Sequence, residues 1–257
     1  MTIAGKRLYI RLGIALVVIL LVTLAAKMLF FPGDEEVAAA AARRKSRALY
    51  NRGHSKRHAG DTAGAMADWT AILEIPDAPA LHKAMALVER GLLKGETGDT
   101  AGAIADYTAV LEMPNATAWK KALALNYRGD SKCQAGDTSG AIADYTAVLE
   151  MPNASAEQKA RALVDRGVAK VQAGDAAGAI ADCTAVLEMP EASAGQKAWA
   201  LVKRGYAKEQ AGETAGAIGD YTAVLEMPEA LPNPKEAARA HLRAAREGPE
   251  GDSGTGE

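Results

Sequence analysis

Residue types able to do chemistry are sparse in this chain, and their spacing argues against a reaction centre. His54 and His58 lie four residues apart, so one helix face would present both, but no carboxylate or cysteine nearby completes a ligand set. His82 and His241 are scattered away from them. Glycine-rich strings such as GETGD at 95–99 recur without the following Lys-Ser or Lys-Thr that a phosphate loop requires. Serine, histidine and acid do not converge under any register of the chain. Cys133 and Cys183 stand at non-equivalent places, so a disulfide framework is not expected. The expectation is a protein that is not an enzyme, with no catalytic residue, no cofactor and no metal.

One set of charges does recur. Arg52, Arg90, Arg128, Arg166 and Arg204 are followed after four residues by Lys56, Lys94, Lys132, Lys170 and Lys208, and then by Asp68, Asp106, Asp144, Asp182 and Asp220. The functional reading is an ion-binding ladder. The structural reading, which the balance of charges favours, is a set of pairs that fixes register within and between repeated units.

The elements that position these charges repeat every 38 residues, five times, and a period of this length means one supersecondary unit stacked on itself. Within a unit, Ala160, Leu163, Gly167, Val168 and Val171 fall at helical spacing, as do Ala179, Ile180, Val186 and Leu187 after Gly174-Asp175, which makes a helical hairpin. Helix A starts with a capping box, Ser155 with Gln158 or Ser193 with Gln196. Gly60, Gly98, Gly136, Gly174 and Gly212 supply a left-handed residue after it. Asp61, Asp99, Asp137, Asp175 and Glu213 suit the positive end of helix B, and Pro76, Pro114, Pro152, Pro190 and Pro228 stop it. Gly129, Ala141 and Ala143 are expected where the two helices touch, with Leu125, Ile142, Tyr145, Val148 and Leu149 between hairpins. In an antiparallel hairpin Arg128 and Asp144 stand at similar height and can pair.

Composition sets no strong direction. Thirty Lys and Arg against 32 Asp and Glu give a net charge of −2, so nothing global draws the chain to nucleic acid or to an anionic surface. Residues 12–31 read as one membrane-spanning helix: 12–26 are uncharged, and with Lys27 snorkelling the 20 residues reach about 30 Å. Lys6, Arg7 and Arg11 before it and Asp34, Glu35 and Glu36 after it place residues 1–11 in the cytoplasm and the repeats outside, at a bacterial inner membrane. Two alternatives stand: a cleaved signal peptide, and the opposite orientation, which Arg43, Arg44, Lys45 and Arg47 support. Residues 32–230 hold the five units, 38–47 linking the membrane helix to the first as a helix. Residues 231–247 make a capping helix, helical from Lys235, and 248–257 a disordered tail.

These residues resemble the tetratricopeptide repeat, with Gly129, Gly136-Asp137, Ala141, Tyr145 and Pro152 in the positions of that family's helix A glycine, turn, small residues, aromatic and closing proline. The chain departs in having a 38-residue rather than 34-residue unit, in Leu125 where helix A carries an aromatic, and in Lys132 for a second one. The resemblance implies an all-α, right-handed α-solenoid of hairpins, here with a transmembrane helix and a cap. It also implies that a protein or peptide partner binds in a concave groove lined by helix A. Carried over by position, that partner-binding groove comprises Tyr50, His54, Val88, Leu92, Asn126, Asp130, Val164, Val168, Val171, Trp199, Val202 and Tyr206, with Arg161 among the same face. The lysine and asparagine set with which family members clamp acidic C-terminal peptides is absent. The leading reading is a membrane-anchored protein interaction scaffold. The alternative is an RNA-binding helical repeat using the basic first unit, and it is disfavoured because Val88, Val164 and Val202 occupy recurrent positions where base-reading arrays carry polar side chains.

Overall fold

The computed structural model describes residues 16–23 and 33–247, and all regular structure among them is α-helical. The described residues form two compact bodies, divided between Lys83 and Ala84. The first holds α1 (Asp34–His58), α2 (Thr62–Leu73) and the start of α3 (Ala80–Glu96). The expected linker at 38–47 and the first helix A are one continuous helix of 25 residues. Asp34, Glu35 and Glu36 open it and Lys56, Arg57 and His58 close it, each sign matched to the helix dipole. Residues 16–23 are also helical, and Leu16 through Val22 are each more than half exposed. The expected span 12–31 lies largely outside the described residues, and no helix among those described is long and apolar enough to cross a membrane.

The second body holds the rest of α3, then α4 (Thr100–Glu112), α5 (Ala118–Gln134), α6 (Thr138–Glu150), α7 (Ala156–Gln172), α8 (Ala176–Glu188), α9 (Ala194–Gln210), α10 (Thr214–Glu226) and α11 (Pro232–Glu247). From α4 onward consecutive helices pack on one another, and α5, α7, α9 and α11 also lie side by side, so the A helices form a layer of their own. The capping helix begins at Pro232 rather than Lys235, because proline is tolerated in a first turn whose N–H groups lack partners anyway. Its Ala238 and Leu242 close the cluster of Val202, Tyr221 and Val224. The expected tail at 248–257 lies outside the described residues.

Each hairpin is punctuated by local chemistry. Gly136 takes φ +82°, a left-handed conformation that the other four turn glycines share and that other residues rarely adopt. Asp137 then accepts a hydrogen bond from the Gly140 N–H at 2.9 Å and starts helix B, as do its three aspartate counterparts. Glu213 makes no such bond, its longer side chain carrying the carboxylate past the donor. Helix B ends when Met151 turns extended (ψ 118°), the conformation imposed on a residue before proline. Both capping boxes form, and their glutamines also tie neighbours together: Gln158 Nε2 donates to the Trp119 carbonyl at 2.8 Å, and Gln196 Nε2 to that of Glu157 at 3.1 Å.

The recurrent charges form one triad per hairpin. Arg128 donates through Nε and Nη2 to both oxygens of Asp144, at 2.8 and 2.7 Å, and Lys132 Nζ reaches the same carboxylate at 2.9 Å. The pairing recurs at Asp68, Asp106, Asp182 and Asp220, each buried. The third guanidinium nitrogen of Arg128, Arg166 and Arg204 donates to Thr108, Thr146 and Thr184 on the preceding helix B. The same residues therefore set register within a hairpin and between hairpins.

Of the two helix B alanines expected at the hairpin contact, one is there. Ala143 is exposed, whereas Ala141 is fully buried, since residues two apart cannot face one side of a helix. Gly129 is a notch for an aromatic ring: a Cβ there would stand 2.6 Å from Cε1 of Tyr145, which is 1% exposed. Gly91 and Gly205 receive Tyr107 and Tyr221 in the same way, and Gly53 receives Trp69. At Gly167 the facing residue is Cys183, whose sulfur would be 3.2 Å away.

Two outcomes are expected in urea denaturation. Gly129→Ala destabilises by about 1–3 kcal/mol through overpacking against Tyr145, while Gly167→Ala costs less because the smaller Cys183 leaves room and alanine favours the helix. Asp144→Ala costs about 3–5 kcal/mol, since it strands Arg128 and Lys132 without their buried counter-ion.

Candidate functional site

With arginine, glycine and lysine held constant along helix A, the residues that change from copy to copy fall on the remaining face. One position reads Arg47, Met85, Leu123, Arg161, Trp199; the next but three reads Asn51, Glu89, Tyr127, Asp165, Lys203; a third reads His54, Leu92, Asp130, Val168, Tyr206. Spacings of four and three put all three positions on one helix stripe. Side by side in the A-helix layer, the stripes of α5, α7 and α9 meet.

Their meeting point is a polar network centred on Arg161. Its Nη2 donates to Asp130 at 2.7 Å across the hairpin boundary, and its Nε donates to Asp165 on the same helix at 3.2 Å. Its guanidinium lies 4.5 Å from the centroid of the Tyr127 ring, a cation–π contact. Tyr145, seated in the Gly129 notch, donates its hydroxyl to the other Asp130 oxygen at 2.7 Å. The repeat frame thus reaches into the variable site through one phenol.

Two carboxylates share this guanidinium, and the electrostatics follow from that ratio. Burial, then the charge of Asp130, push the Asp165 carboxyl up to about 6, against the opposing pull of Arg161 and Lys203. Arg161 is raised above its ordinary value despite its burial, chiefly by Asp130 and then Asp165. Burial, then Asp130, likewise raise the Tyr145 phenol, so it stays a donor.

Beside the network, α7 and α9 border an open cavity of about 450 Å³. Ala160, Val164 and Trp199 give it apolar walls, and Glu157, Arg161, Asp165 and Lys203 stand around them. Lys203 Nζ lies over the Trp199 ring, 5.5 Å from its centroid. Such a cavity can hold an apolar stem and a charged or hydrogen-bonding head.

The residues expected to line the groove are distributed unevenly. Val164 and Trp199 line the cavity, and Asp130 joins it through Arg161. Val88, Asn126 and Val202 are buried, as is Val164 at the same repeat position, with Asn126 donating to the Gln158 carbonyl at 3.4 Å, so this position supports the face from beneath. Leu92, Val168 and Val171 are half-buried and do not reach the cavity. Tyr206 rests 5.9 Å from His241 of the capping helix. Tyr50 and His54 belong to the first body, where the His54 ring stands edge-on between Tyr50 and Trp69. In that body Ser46 Oγ lies 2.6 Å from His82 Nδ1, and burial, then Arg43 and Arg47, depress the imidazole's pKa. Tyr127, Asp165 and Lys203 were not anticipated. Their signal is the position that holds a different residue in every copy.

By sequence the chain matches no protein-family model and no curated protein. By structure it is similar to a tetratricopeptide repeat protein from Parabacteroides merdae, with 21% identity over 79% of this chain and 74% of that one and a TM-score of 0.59. It is similar also to two crystal structures of MamA, at 18% and 19% identity, covering 78% and 74% of this chain and 96% of each of those, with TM-scores of 0.55 and 0.53. The fold is accordingly an all-helical, tetratricopeptide-like repeat array.

A carboxyl whose folded value is raised keeps its proton longer when folded, so its contribution to stability is full below about pH 4 and lost as pH rises through about 6. Urea midpoints measured across that window should fall in the wild type relative to Asp165→Asn, with the gap opening between the two values and constant above them.

Proposed function

We propose that this chain is a non-catalytic, membrane-anchored scaffold that holds a protein or peptide on the A-helix face of its repeats. The observation that carries the reading is the convergence of the variable positions of α7 and α9 on one cavity with apolar walls and charged groups around them, Asp130 of α5 being joined to it through Arg161. A helix pair that served only architecture would need no such divergence there, since the framework positions already close and align every hairpin. Trp199 is the natural anchor, an aromatic only partly buried by the fold and flanked by polar groups.

The anchoring half of the proposal rests on residues 12–31. The seven large aliphatic residues Leu16 to Val22 cover every side of a helical segment and are exposed on all of them. An all-round apolar helix is at home in lipid or buried in protein, not in water. The flanking charges favour a cytoplasmic start with the repeats outside a bacterial inner membrane.

Crosslinking in intact membranes, followed by capture of the tagged full chain, tests both halves. Trp199→Ala should lower recovery of the crosslinked partner about tenfold or more with helicity unchanged by circular dichroism. Unchanged recovery, or salt-sensitive retention of RNA in place of a protein, overturns the groove reading. Alkaline extraction should leave the wild type in the membrane pellet and release Leu20→Asp, and protease added to spheroplasts should digest the repeats; a soluble wild type or protected repeats overturn the anchor or its orientation.

A further inference from the structure

We infer that the cavity between α7 and α9 takes a lysine or arginine side chain from an extended peptide segment, its stem along Trp199 and Val164 and its cationic head on Asp165. The inference rests on the scaffold reading above and specifies the chemistry of its ligand.

Three observations carry it. The first is hydrogen-bond capacity. Asp165 uses Oδ2 to accept from Arg161, while no donor among the described residues reaches its Oδ1, and the side chain borders the cavity. The second is charge. Arg161 is already committed, with Nη2 on Asp130, Nε on Asp165 and its face on Tyr127. One guanidinium between two carboxylates leaves this network with one negative charge uncompensated. A ligand carboxylate would add a third anion to this cluster, whereas a cation supplies the missing partner. The third is shape. The walls given by Ala160, Val164 and Trp199 fit the methylene stem of a long basic side chain, whose head needs a polar end. Lys203 already places an ammonium over the Trp199 ring without forming an ion pair to Asp165, so the aromatic face accepts cations, and this side chain is the one an incoming head displaces.

The groups facing Asp165 from the packed helices are Asp130 and Cys133 of α5, Tyr145 of α6 and Lys203 of α9, with Arg161 on its own helix. A bound cation favours the ionised carboxylate, so binding strengthens as pH rises through the value to which burial and Asp130 have lifted Asp165.

The test is fluorescence anisotropy with the full chain in detergent and short labelled peptides of leucine and alanine carrying one central lysine, arginine, norleucine or glutamate. The lysine and arginine peptides should bind about tenfold or more tighter than the glutamate peptide, and their affinity should rise between about pH 5 and about pH 7. Asp165→Asn, close to isosteric, should erase that preference and flatten the pH profile, and Trp199→Ala should weaken every peptide. Equal or tighter binding of the glutamate peptide overturns the inference, as does a lysine preference that survives in Asp165→Asn with its pH profile intact. If all peptides bind alike and Trp199→Ala weakens them all, the inference falls and the scaffold reading stands. If none binds and crosslinked partner recovery also ignores Trp199→Ala, both fall.

Discussion

Everything in the repeat array depends on one buried carboxylate per hairpin. Asp144 sits on helix B where Arg128 and Lys132 of helix A converge, and Thr108 of the preceding helix B takes the remaining arginine donor. A buried charge is expensive unless its partners are well placed, so this arrangement tolerates neither a slip along the hairpin nor a rotation of one hairpin on the next. The apolar contacts could not impose this alone. Alanine and valine surfaces slide over one another at small cost, whereas a bidentate guanidinium has one good position. The tyrosine in its glycine notch adds a second constraint, fixing how closely the helices approach.

These constraints account for which parts of the fold were legible from residues alone. Turn glycines, terminating prolines and the arginine-aspartate pairing are all local or lie within one hairpin, and each appears five times, so periodicity turned weak propensities into a definite pattern. The partners that involve two units at once were harder to see. Threonine receiving the third arginine donor and glutamine crossing to the previous helix A require the stacking geometry itself. Ala143 was misplaced because two nearby alanines were taken as one contact, although residues two apart on a helix point to nearly opposite sides, so only Ala141 faces helix A.

The candidate site divides in the same way. Asp130 and Trp199 were reachable because they occupy helix A positions of the expected stripe. Val88, Asn126, Val164 and Val202 share a position one step nearer the helix interface, and the packing that makes that position recurrent and mostly apolar also buries it, although Val164 still borders the cavity. Tyr127, Asp165 and Lys203 carry no periodic signal of the usual kind: their position holds asparagine, glutamate, tyrosine, aspartate and lysine in turn. A search for what repeats passes over them, and only the contrast between a frozen frame and a varying stripe brings them out.

That contrast has a physical consequence for how such a chain acquires a site. A framework residue is answerable to its own hairpin and can be copied with it, which is why the arginine triads are uniform. Arg161 is answerable to two copies, since its charge is balanced only by Asp130 of the unit before and Asp165 of its own, and its ring partner Tyr127 also comes from the unit before. Copying one unit cannot produce this constellation; neighbouring copies must diverge in complementary directions. The site is therefore a property of a boundary between repeats, held at fixed spacing by triads that do not vary, and its charge is set by differences between copies. The frame ensures that the three stripes meet, and the residues that differ decide what can be held where they do.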